Sequence, residues 1–569
     1  ILTQNNYMVL RLLFIVSFFI CYLGQAVESD FSLDSLIYTR VVDKQHADLY
    51  SKILTIDNDG RIKPFHTTAS EILRKICRKT SLYNQNSSQI VLGMTVDPLL
   101  WQIIPLIKVA NDDILNIINR QEELVSFVSF FENNQYLLLS YVESAYSKKP
   151  IDRTKFDKKI LEVDERVNIC SMIFSDRLVN IFPRKEGGWT ADVSMDIPGI
   201  DSTKTQSFKE IYRDLVFSAY SSHSWQEVNL ILEFVKKWQN NYAESIVLPS
   251  ATKINAEIFY NNLDPFGWNR LFLLYFLSGC LLLFILLIDI FYDHKIINLI
   301  SLLIQIIIYS GFFFHVFALI LRWYVSGHAP WSNAYESVIF IAFATMIAGV
   351  LFSRKSNFAL SAACLVSAML LVVANLNSLN PEMTNLVPVL NSYWLMIHVS
   401  VITSSYGFFG LCAFLGFFNM VLIILSNRSK IQSNVSELTL INEQSMMLGL
   451  FLLTVGTFLG GVWANESWGR YWGWDPKETW AFASMLVYIF VLHMRFIPKL
   501  KSMYAFNLAS LVAFSSIIMT YFGVNFYLSG LHSYAAGDPM PIPDFIPYSI
   551  LIVFITASFI FFKQKILKK

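Results

Sequence analysis

A run of closely spaced tryptophans is the chemically most informative part of the chain. Residues 468–480 read WGRYWGWDPKETW and hold four of the 13 tryptophans, Trp468, Trp472, Trp474 and Trp480. Apolar segments flank the run, which places it at a membrane surface, where tryptophan is frequent because its ring is apolar and its N–H polar. An aromatic belt needs only scattered rings. Dense rings with intervening glycines such as Gly469, followed by Asp475-Pro476, favour a large flat apolar ligand.

Two histidines are predicted to lie at the same surface as this tryptophan run. His398 falls about one and a half turns inside the outer end of a predicted membrane helix, and His532 falls just beyond the outer end of another. An ionisable residue within a membrane helix is costly and is usually functional. Two imidazoles beside aromatic rings could bind haem, with the imidazoles on the iron. Zn²⁺ or Cu²⁺ is an alternative partner for imidazole.

His493 is predicted to lie deeper in the membrane. It follows Trp480 by 13 residues on a helix that runs inward, which corresponds to about 20 Å at 1.5 Å per residue. A buried histidine near the inner end is either a core residue or the ligand of a second, deeper haem site. His315 is the other histidine predicted at mid-membrane depth.

The elements that must position these residues are membrane helices. The chain has 569 residues, of which 54% are hydrophobic and 15% charged, a composition typical of a polytopic membrane protein. Nine apolar runs are long enough to form membrane helices, near 271–291, 296–321, 334–352, 358–376, 393–426, 444–463, 480–496, 503–527 and 546–563. The predicted fold is therefore all-α, a membrane bundle of about nine helices.

The basic residues lie in alternate connections between these helices. They cluster at 293–295, 353–355, 427–430, 495–501 and 563–569. By the positive-inside rule this face is cytoplasmic. The N-terminal region and the tryptophan run then lie on the outer, periplasmic face of the inner (cytoplasmic) membrane.

The sequence divides into three predicted segments. Residues 1–26 resemble a signal peptide or the end of an upstream membrane helix, residues 27–265 are polar with helical periodicity, and residues 266–569 form the membrane domain. The middle segment is predicted to be an exported, mostly helical domain. The six cysteines form no C-x-x-C or C-x-x-C-H motif, so the chain is not itself a c-type cytochrome or a dithiol reductase.

The tryptophan run resembles the WWD signature of proteins that handle haem in cytochrome c maturation. The form WDPKETW is similar to the CcsA branch of the CcsA/CcsB (system II) family, as is the loop RWYVSGHAPWSNAYES. The stretches VDKQHADLY and GRIKPFHTTASEILRKICRK resemble the exported domain that accompanies this family in some bacteria. The resemblance covers roughly residues 300–540 and extends to residues 40–105.

The resemblance implies the roles of the site residues. His398 and His532 match the family's external haem ligands, and His493 matches a ligand of the membrane site, whose second ligand comes from the CcsB part. Residues 1–26 show no CcsB-type membrane segments, so the expected source of that ligand is another chain, an absent upstream region or His315. The tryptophans of the run would bind the macrocycle. Asp475 would meet the haem propionates or position the run, or would only cap the next helix.

The implied function is cytochrome c biogenesis. The protein would carry reduced haem b, bound non-covalently, to the outer face and present it for thioether attachment to the C-x-x-C-H segment of apocytochrome c, as a holocytochrome c synthase component. Its implied partners are this apocytochrome, a CcsB-like subunit and a thiol-reducing protein, with no nucleic acid. The alternatives are a haem transporter, a haem-bearing respiratory subunit, and an enzyme of exported lipids or polysaccharides that uses outer-face carboxylates.

Overall fold

The computed structural model describes most of the chain as two helical parts joined in sequence. The described residues are 40–195, 206–242, 247–292, 294–376, 379–386, 390–425, 429–528, 530 and 545–567. The predicted signal peptide, residues 1–26, and the predicted ligand His532 lie outside these ranges.

In the described residues, the N-terminal domain contains ten α-helices and short antiparallel strand pairs. The helices are α1 (Lys44–Tyr50), α2 (Phe65–Cys77), α3 (Ser87–Val96), α4 (Pro98–Ile103), α5 (Asp112–Ile117), α6 (Leu139–Ser147), α7 (Lys155–Phe174), α8 (Phe208–Ser222), α9 (Gln226–Tyr242) and α10 (Ala251–Leu263). The strand pairs are β1 (Leu54–Ile56) with β2 (Ile62–Pro64), β3 (Ser81–Leu82) with β4 (Gln85–Asn86), β5 (Pro105–Lys108) with β6 (Leu124–Ser126), β7 (Phe131–Glu132) with β8 (Gln135–Tyr136), β9 (Phe182–Pro183) with β10 (Trp189–Thr190), and β11 (Ser194–Met195) with β12 (Gln206–Ser207).

An apolar stripe on α2 faces the core of this domain. Ile72, Leu73, Ile76 and Cys77 are buried, as their spacing on one side of a helix requires. Polar caps mark other helices. Asn86 and Gln89 form a reciprocal capping box at the start of α3, which satisfies backbone N–H groups that have no partner within the helix.

His46 joins α1 to α8 and α9. Its Nδ1 lies 2.7 Å from Asn229 Oδ1 on α9, and its Nε2 lies 2.8 Å from the Tyr212 hydroxyl on α8. Burial lowers the pKa of the imidazole, which the hydrogen bond to Asn229 only partly offsets. The neutral ring is therefore the form that suits the folded domain.

The second part is a bundle of long apolar helices. They are α11 (Leu273–Phe291), preceded by a π-helical turn, α12 (Lys295–Ser326), α13 (Ala334–Ser353), α14 (Asn357–Ala374), α15 (Tyr393–Leu425), α16 (Ser429–Trp468), α17 (Pro476–His493), α18 (Met503–Ile518), the short α19 (Val524–Tyr527) and α20 (Phe545–Leu567).

Eight helices of the described chain are long and apolar enough to cross a membrane. The predicted all-α membrane bundle is therefore confirmed. Each of the nine predicted runs corresponds to a helix, but the ninth, in α20, has an apolar stretch of only 17 residues, Ile546–Phe562. Helix α16 is longer than predicted, because 15 polar and mixed residues continue it below the apolar run.

The basic connections meet at one end of the bundle. Lys430 donates to the carbonyl of Asp289 at 2.7 Å, and Lys355 donates to Gln444 Oε1 at 2.6 Å. Arg495 forms an ion pair with Glu443 at the same end of α16. The connections that carry positive charge thus share one face, as the alternation in the sequence predicted.

Candidate functional site

A cavity of about 470 Å³ opens among the ends of α13, α15, α16, α17 and α18. These ends lie opposite the basic connections. The residues that line it are Trp331, Ser332, Asn333, Ala334, Ser337, Leu390, Leu395, Met396, His398, Val399, Ile402, Thr403, Tyr406, Thr457, Gly460, Gly461, Trp463, Tyr471, Trp472, Lys477, Glu478, Ala481, Thr520, Tyr521 and Asn525. We call this space the outer cavity. Its size falls within the range of small-molecule and cofactor sites.

His398 is held in the wall of the outer cavity in one orientation. Its Nδ1 lies 2.7 Å from the carbonyl oxygen of Gly456 on α16. Because a carbonyl only accepts, Nδ1 carries the proton, and Nε2 is the nitrogen with a lone pair for a metal. Gly460, one turn further along α16, lies directly against the ring: a Cβ there would be 2.6 Å from Cε1. Neighbouring glycines on α16 thus make room for the imidazole and orient it.

The tryptophan run is a tight connection between α16 and α17. Gly469 ends α16 with a φ of +71°, and Trp474 adopts a φ of +56°, which is rare for a residue with a bulky side chain. Asp475 accepts from the Lys477 N–H at the start of α17, and Glu478 completes a reciprocal capping box. Glu478 also accepts from the Gly473 N–H at 2.7 Å. These bonds hold the strained segment in place.

The four tryptophans of the run do not form one flat surface. Trp472 lines the outer cavity. Trp474 is 69% exposed and packs edge-on against Trp472, with 5.8 Å between the ring centroids. Trp468 instead packs on Trp463, with 4.8 Å between ring centroids. The prediction that all the rings share one binding surface is wrong, because Trp472 lines the outer cavity whereas Trp468 packs on Trp463.

Three other predicted site residues are absent from the lining of the outer cavity. They are Gly469, Asp475 and Trp480. Gly469 serves the helix end, and Asp475 is buried as the cap of α17. Of the three roles considered for Asp475, the structure therefore favours the cap. The rings that sequence reasoning left out of the site, Trp463 and Tyr471, come from the last two turns of α16 and from the connection that follows it.

Lys477 is the cationic group of the outer cavity. Its Nζ donates to Asn525 Oδ1 on α19 at 3.0 Å. Deeper in the cavity the Tyr521 hydroxyl lies 2.8 Å from Ser337 Oγ and donates to the Ala334 carbonyl at 3.0 Å. The cavity therefore combines aromatic rings, one oriented imidazole and one ammonium group.

His493 and His315 lie in separate surroundings. His493 is the last residue of α17, and its Nδ1 lies 2.7 Å from the Ile489 carbonyl. Its side chain is exposed on the bundle surface, so the expectation of a buried histidine is wrong for the chain by itself. His315 is fully buried between Tyr275, Phe266 and Phe343. This cage of aromatic groups comes from α11, α13 and the segment before α11, and none of it belongs to α17.

Comparison with known proteins gives the family. A family model described as "Cytochrome C assembly protein" matches residues 331–532, which span the outer cavity and the tryptophan run. CcsA of Prochlorococcus marinus (strain MIT 9301), a cytochrome c biogenesis protein, is 33% identical over 270 residues, which cover 42% of this chain and 84% of that protein. CcsA of strain MIT 9215 is 33% identical over 296 residues, 45% of this chain and 93% of that protein. The chain belongs to the CcsA family of cytochrome c biogenesis proteins.

A longer relative also matches the N-terminal domain. Protein NrfI of Wolinella succinogenes is 40% identical over 489 residues, 85% of this chain and 54% of that protein. The chain thus spans about half the length of NrfI. Because 85% of the chain exceeds its membrane part, the similarity extends into the N-terminal domain. The predictions of family, of a role in cytochrome c assembly with haem handling, and of an integral membrane protein are confirmed.

Proposed function

We propose that this CcsA-family chain presents reduced haem in the outer cavity for covalent attachment to apocytochrome c, and so acts as a component of a holocytochrome c synthase. The position and orientation of His398 are the main support for this proposal. His398 stands in an aromatic cavity with Nδ1 bonded to Gly456, which directs the metal-binding character to Nε2.

The lining of the outer cavity fits haem chemically. Haem is a flat apolar ring with two carboxylates at one edge and iron at the centre. Trp331, Trp463 and Trp472 supply aromatic contact, and Lys477 supplies a cation for a carboxylate. His398 supplies an iron ligand. Aromatic side chains, a cation and an imidazole in one cavity therefore suit haem.

The second external ligand in this proposal is His532. It follows α19, whose residue Asn525 lines the cavity. His398 and His532 hold ferrous haem b without a covalent bond, and two cysteine thiols of the apocytochrome C-x-x-C-H segment add across its vinyl groups. The histidine of that segment would take the place of His398 or His532 as the product leaves. A thiol-reducing protein keeps the apocytochrome cysteines reduced.

His493 would belong to a deeper station on the path of haem. Its exposure at the bundle surface supports a site completed by another polypeptide, such as a CcsB-like subunit, because an imidazole on the outside of the bundle can be reached by a neighbouring helix. The outer cavity and the N-terminal domain would lie on the periplasmic side of the inner membrane. The shared face of Lys355, Lys430 and Arg495 supports this orientation.

The optical spectrum of the purified full-length protein tests the ligand class. We expect a bis-histidine ferrous spectrum, and acid acetone should extract the haem, because the chain has no C-x-x-C-H motif. Haem that stays with the polypeptide, or a spectrum without histidine ligation, would contradict the proposal.

A variant of His398 tests haem attachment. His398→Ala should abolish formation of a reporter cytochrome c while the protein accumulates, and added imidazole should restore part of the yield by taking the vacated axial position. Wild-type yield without imidazole would remove His398 from the site. Full haem loading by a wild-type protein that attaches no haem to the reporter would favour a haem transporter instead.

A further inference from the structure

We propose that Arg322, Glu336 and Tyr260 are positioning residues for haem attachment: they fix one wall of the outer cavity and tie it to the N-terminal domain. This inference rests on the proposed function. The three residues lie behind the cavity wall and are not among the residues that line the cavity.

The centre of the cluster is a fully buried ion pair. Arg322 on α12 donates from Nε to Glu336 Oε1 on α13 at 2.9 Å, and the two side chains are 1% and 0% exposed. Arg322 also donates to the Tyr260 hydroxyl and to the Pro381 carbonyl, each at 3.2 Å. The rings of Tyr260 and Tyr335 lie 5.9 and 5.2 Å from its guanidinium carbon. All three nitrogens of the guanidinium therefore have a partner.

The second oxygen of Glu336 holds the cavity wall. It accepts from the Ser332 N–H at 2.9 Å, while the Glu336 N–H donates to Asn333 Oδ1 at 2.8 Å. Ser332 and Asn333 both line the outer cavity, as does the adjacent Trp331. Trp331 in turn donates from Nε1 to the Met396 carbonyl at 3.1 Å, two residues before His398. A continuous path of hydrogen bonds and covalent bonds thus joins the ion pair to the helix that carries the proposed iron ligand.

On its other side the cluster is joined to the N-terminal domain through α10. Tyr260 belongs to α10, whose Glu257 forms a buried ion pair with Arg61 at 2.8 Å and accepts from Thr67 at 2.8 Å. Asn261 donates to Thr67 Oγ1 at 2.9 Å. Helix α10 is therefore fastened to α2 and to the segment before it, and its Tyr260 reaches Arg322 in the membrane domain.

The first turn of α13 separates two spaces. Ala334 and Ser337 line the outer cavity, whereas Tyr335, Tyr260 and Arg322 line a polar cleft of about 950 Å³ between the N-terminal domain and the membrane domain. Movement of α10 in that cleft would act on Arg322, and through Glu336 on the opposite surface of the same turn. The two domains are thus coupled at the wall that faces the haem site.

A buried ion pair is not needed for stability alone. Replacing such a pair by apolar residues of similar size is often neutral or stabilising, whereas removing one partner leaves an unpaired charge. The double variant Arg322→Met/Glu336→Leu therefore removes the positioning bonds without leaving a buried charge. Glu336→Gln retains an acceptor for Ser332 but removes the charge, and Tyr260→Phe removes only the hydroxyl that reaches from α10.

Amide hydrogen exchange of the purified full-length protein gives a readout that does not depend on haem. In Glu336→Gln and in the double variant we expect exchange over residues 327–337 to be about tenfold faster than in the wild type, because the charge-assisted bond to the Ser332 N–H is weakened or lost. Tyr260→Phe should give a smaller increase in the same segment. The matched control is Asn262→Ala, which removes an exposed α10 contact to His66 and leaves this segment unchanged.

The same variants are then compared for haem spectrum and for yield of a reporter cytochrome c. We expect the double variant to accumulate, to exchange its axial ligand with added imidazole faster, and to give about a tenth of the wild-type yield. Wild-type exchange and yield in the double variant would overturn the proposal, even if Glu336→Gln fails to accumulate. If the double variant also fails to accumulate, Tyr260→Phe decides, because unchanged exchange over 327–337 in that variant would refute the coupling to the N-terminal domain. A wild-type protein that forms no cytochrome c would refute the proposed function, while the exchange measurement would still test the wall.

Discussion

Gly460 offers a sharp test of how the outer cavity positions His398. Substituting alanine adds a single methyl group on α16, and its Cβ would lie 2.6, 2.8 and 3.1 Å from Cε1, Nδ1 and Nε2 of the imidazole. Ordinary contact between carbon atoms needs about 3.5–4.0 Å. The ring must therefore move by about 1 Å, and the bond from Nδ1 to the Gly456 carbonyl, now 2.7 Å, must bend or break.

The effects on function and on stability should have opposite signs. Misplacing a reacting group by about 1 Å can cost on the order of a hundredfold in rate. In contrast, alanine is a better helix former than glycine by about 1 kcal/mol in a helix interior, and Gly460 lies within α16. We expect Gly460→Ala to accumulate at least as well as the wild type, with cytochrome c yield reduced by about a hundredfold.

The assay compares reporter cytochrome c yield, the haem spectrum and membrane protein level for the full-length protein. The control is Gly410→Ala on α15, where the added Cβ would lie 3.3 Å from a Val366 methyl group and away from His398. We expect this control to retain most of the yield. A Gly460→Ala protein with wild-type spectrum and yield would refute the conclusion that α16 fixes the position of the imidazole.

Three further expectations follow from the described contacts. Lys477→Gln should reduce the haem content per protein by about tenfold, because it removes a charge-assisted pairing with a haem carboxylate. Lys477→Arg should retain most of the haem, and equal haem content in the two variants would exclude that pairing. His493→Ala should yield protein at normal level with little haem and poor rescue by imidazole, and a normal haem content would make His493 a residue without a role in haem transfer. Burial lowers the pKa of His46 below its unfolded value of about 6.5. As the pH falls through about 6.5, the imidazole therefore gains a proton more readily in the unfolded chain than in the folded one, and the folded state loses stability. Amide exchange over residues 44–50, corrected for its intrinsic rate, should be faster at pH 5.5 than at pH 7.5, and this difference should be smaller in His46→Gln.

Much of the membrane domain could be predicted from the sequence because a membrane imposes length and composition on each helix. An apolar run long enough to cross is a local property, so all nine predicted runs correspond to helices. The alternation of basic and non-basic connections can likewise be read from short stretches of the sequence. It predicted which ends lie together, and the contacts of Lys355 and Lys430 with other helices agree.

The arrangement within the outer cavity could not be read in this way. The sequence placed His398 about one and a half turns inside the end of its helix, but only packing shows that Gly456 orients the ring and that Gly460 makes space for it. The tryptophans of one short run were expected to act together, yet a left-handed backbone at Gly469 and another at Trp474 separate their rings. The period of a helix predicts the direction of side chains only within that helix, and the tryptophan run continues beyond the end of α16.

The sequence by itself determined a bundle of membrane helices, aromatic rings and His398 near one end of it, and a mostly helical region before it. The tertiary structure alone decided which of these residues meet. It brings Trp331, Trp463 and Lys477 to the cavity of His398, leaves His493 on the outside of the bundle, and joins Arg322 to Glu336. The physical reason is that helix periodicity assigns a side chain to a face, whereas the partner that covers this face comes from a distant part of the chain.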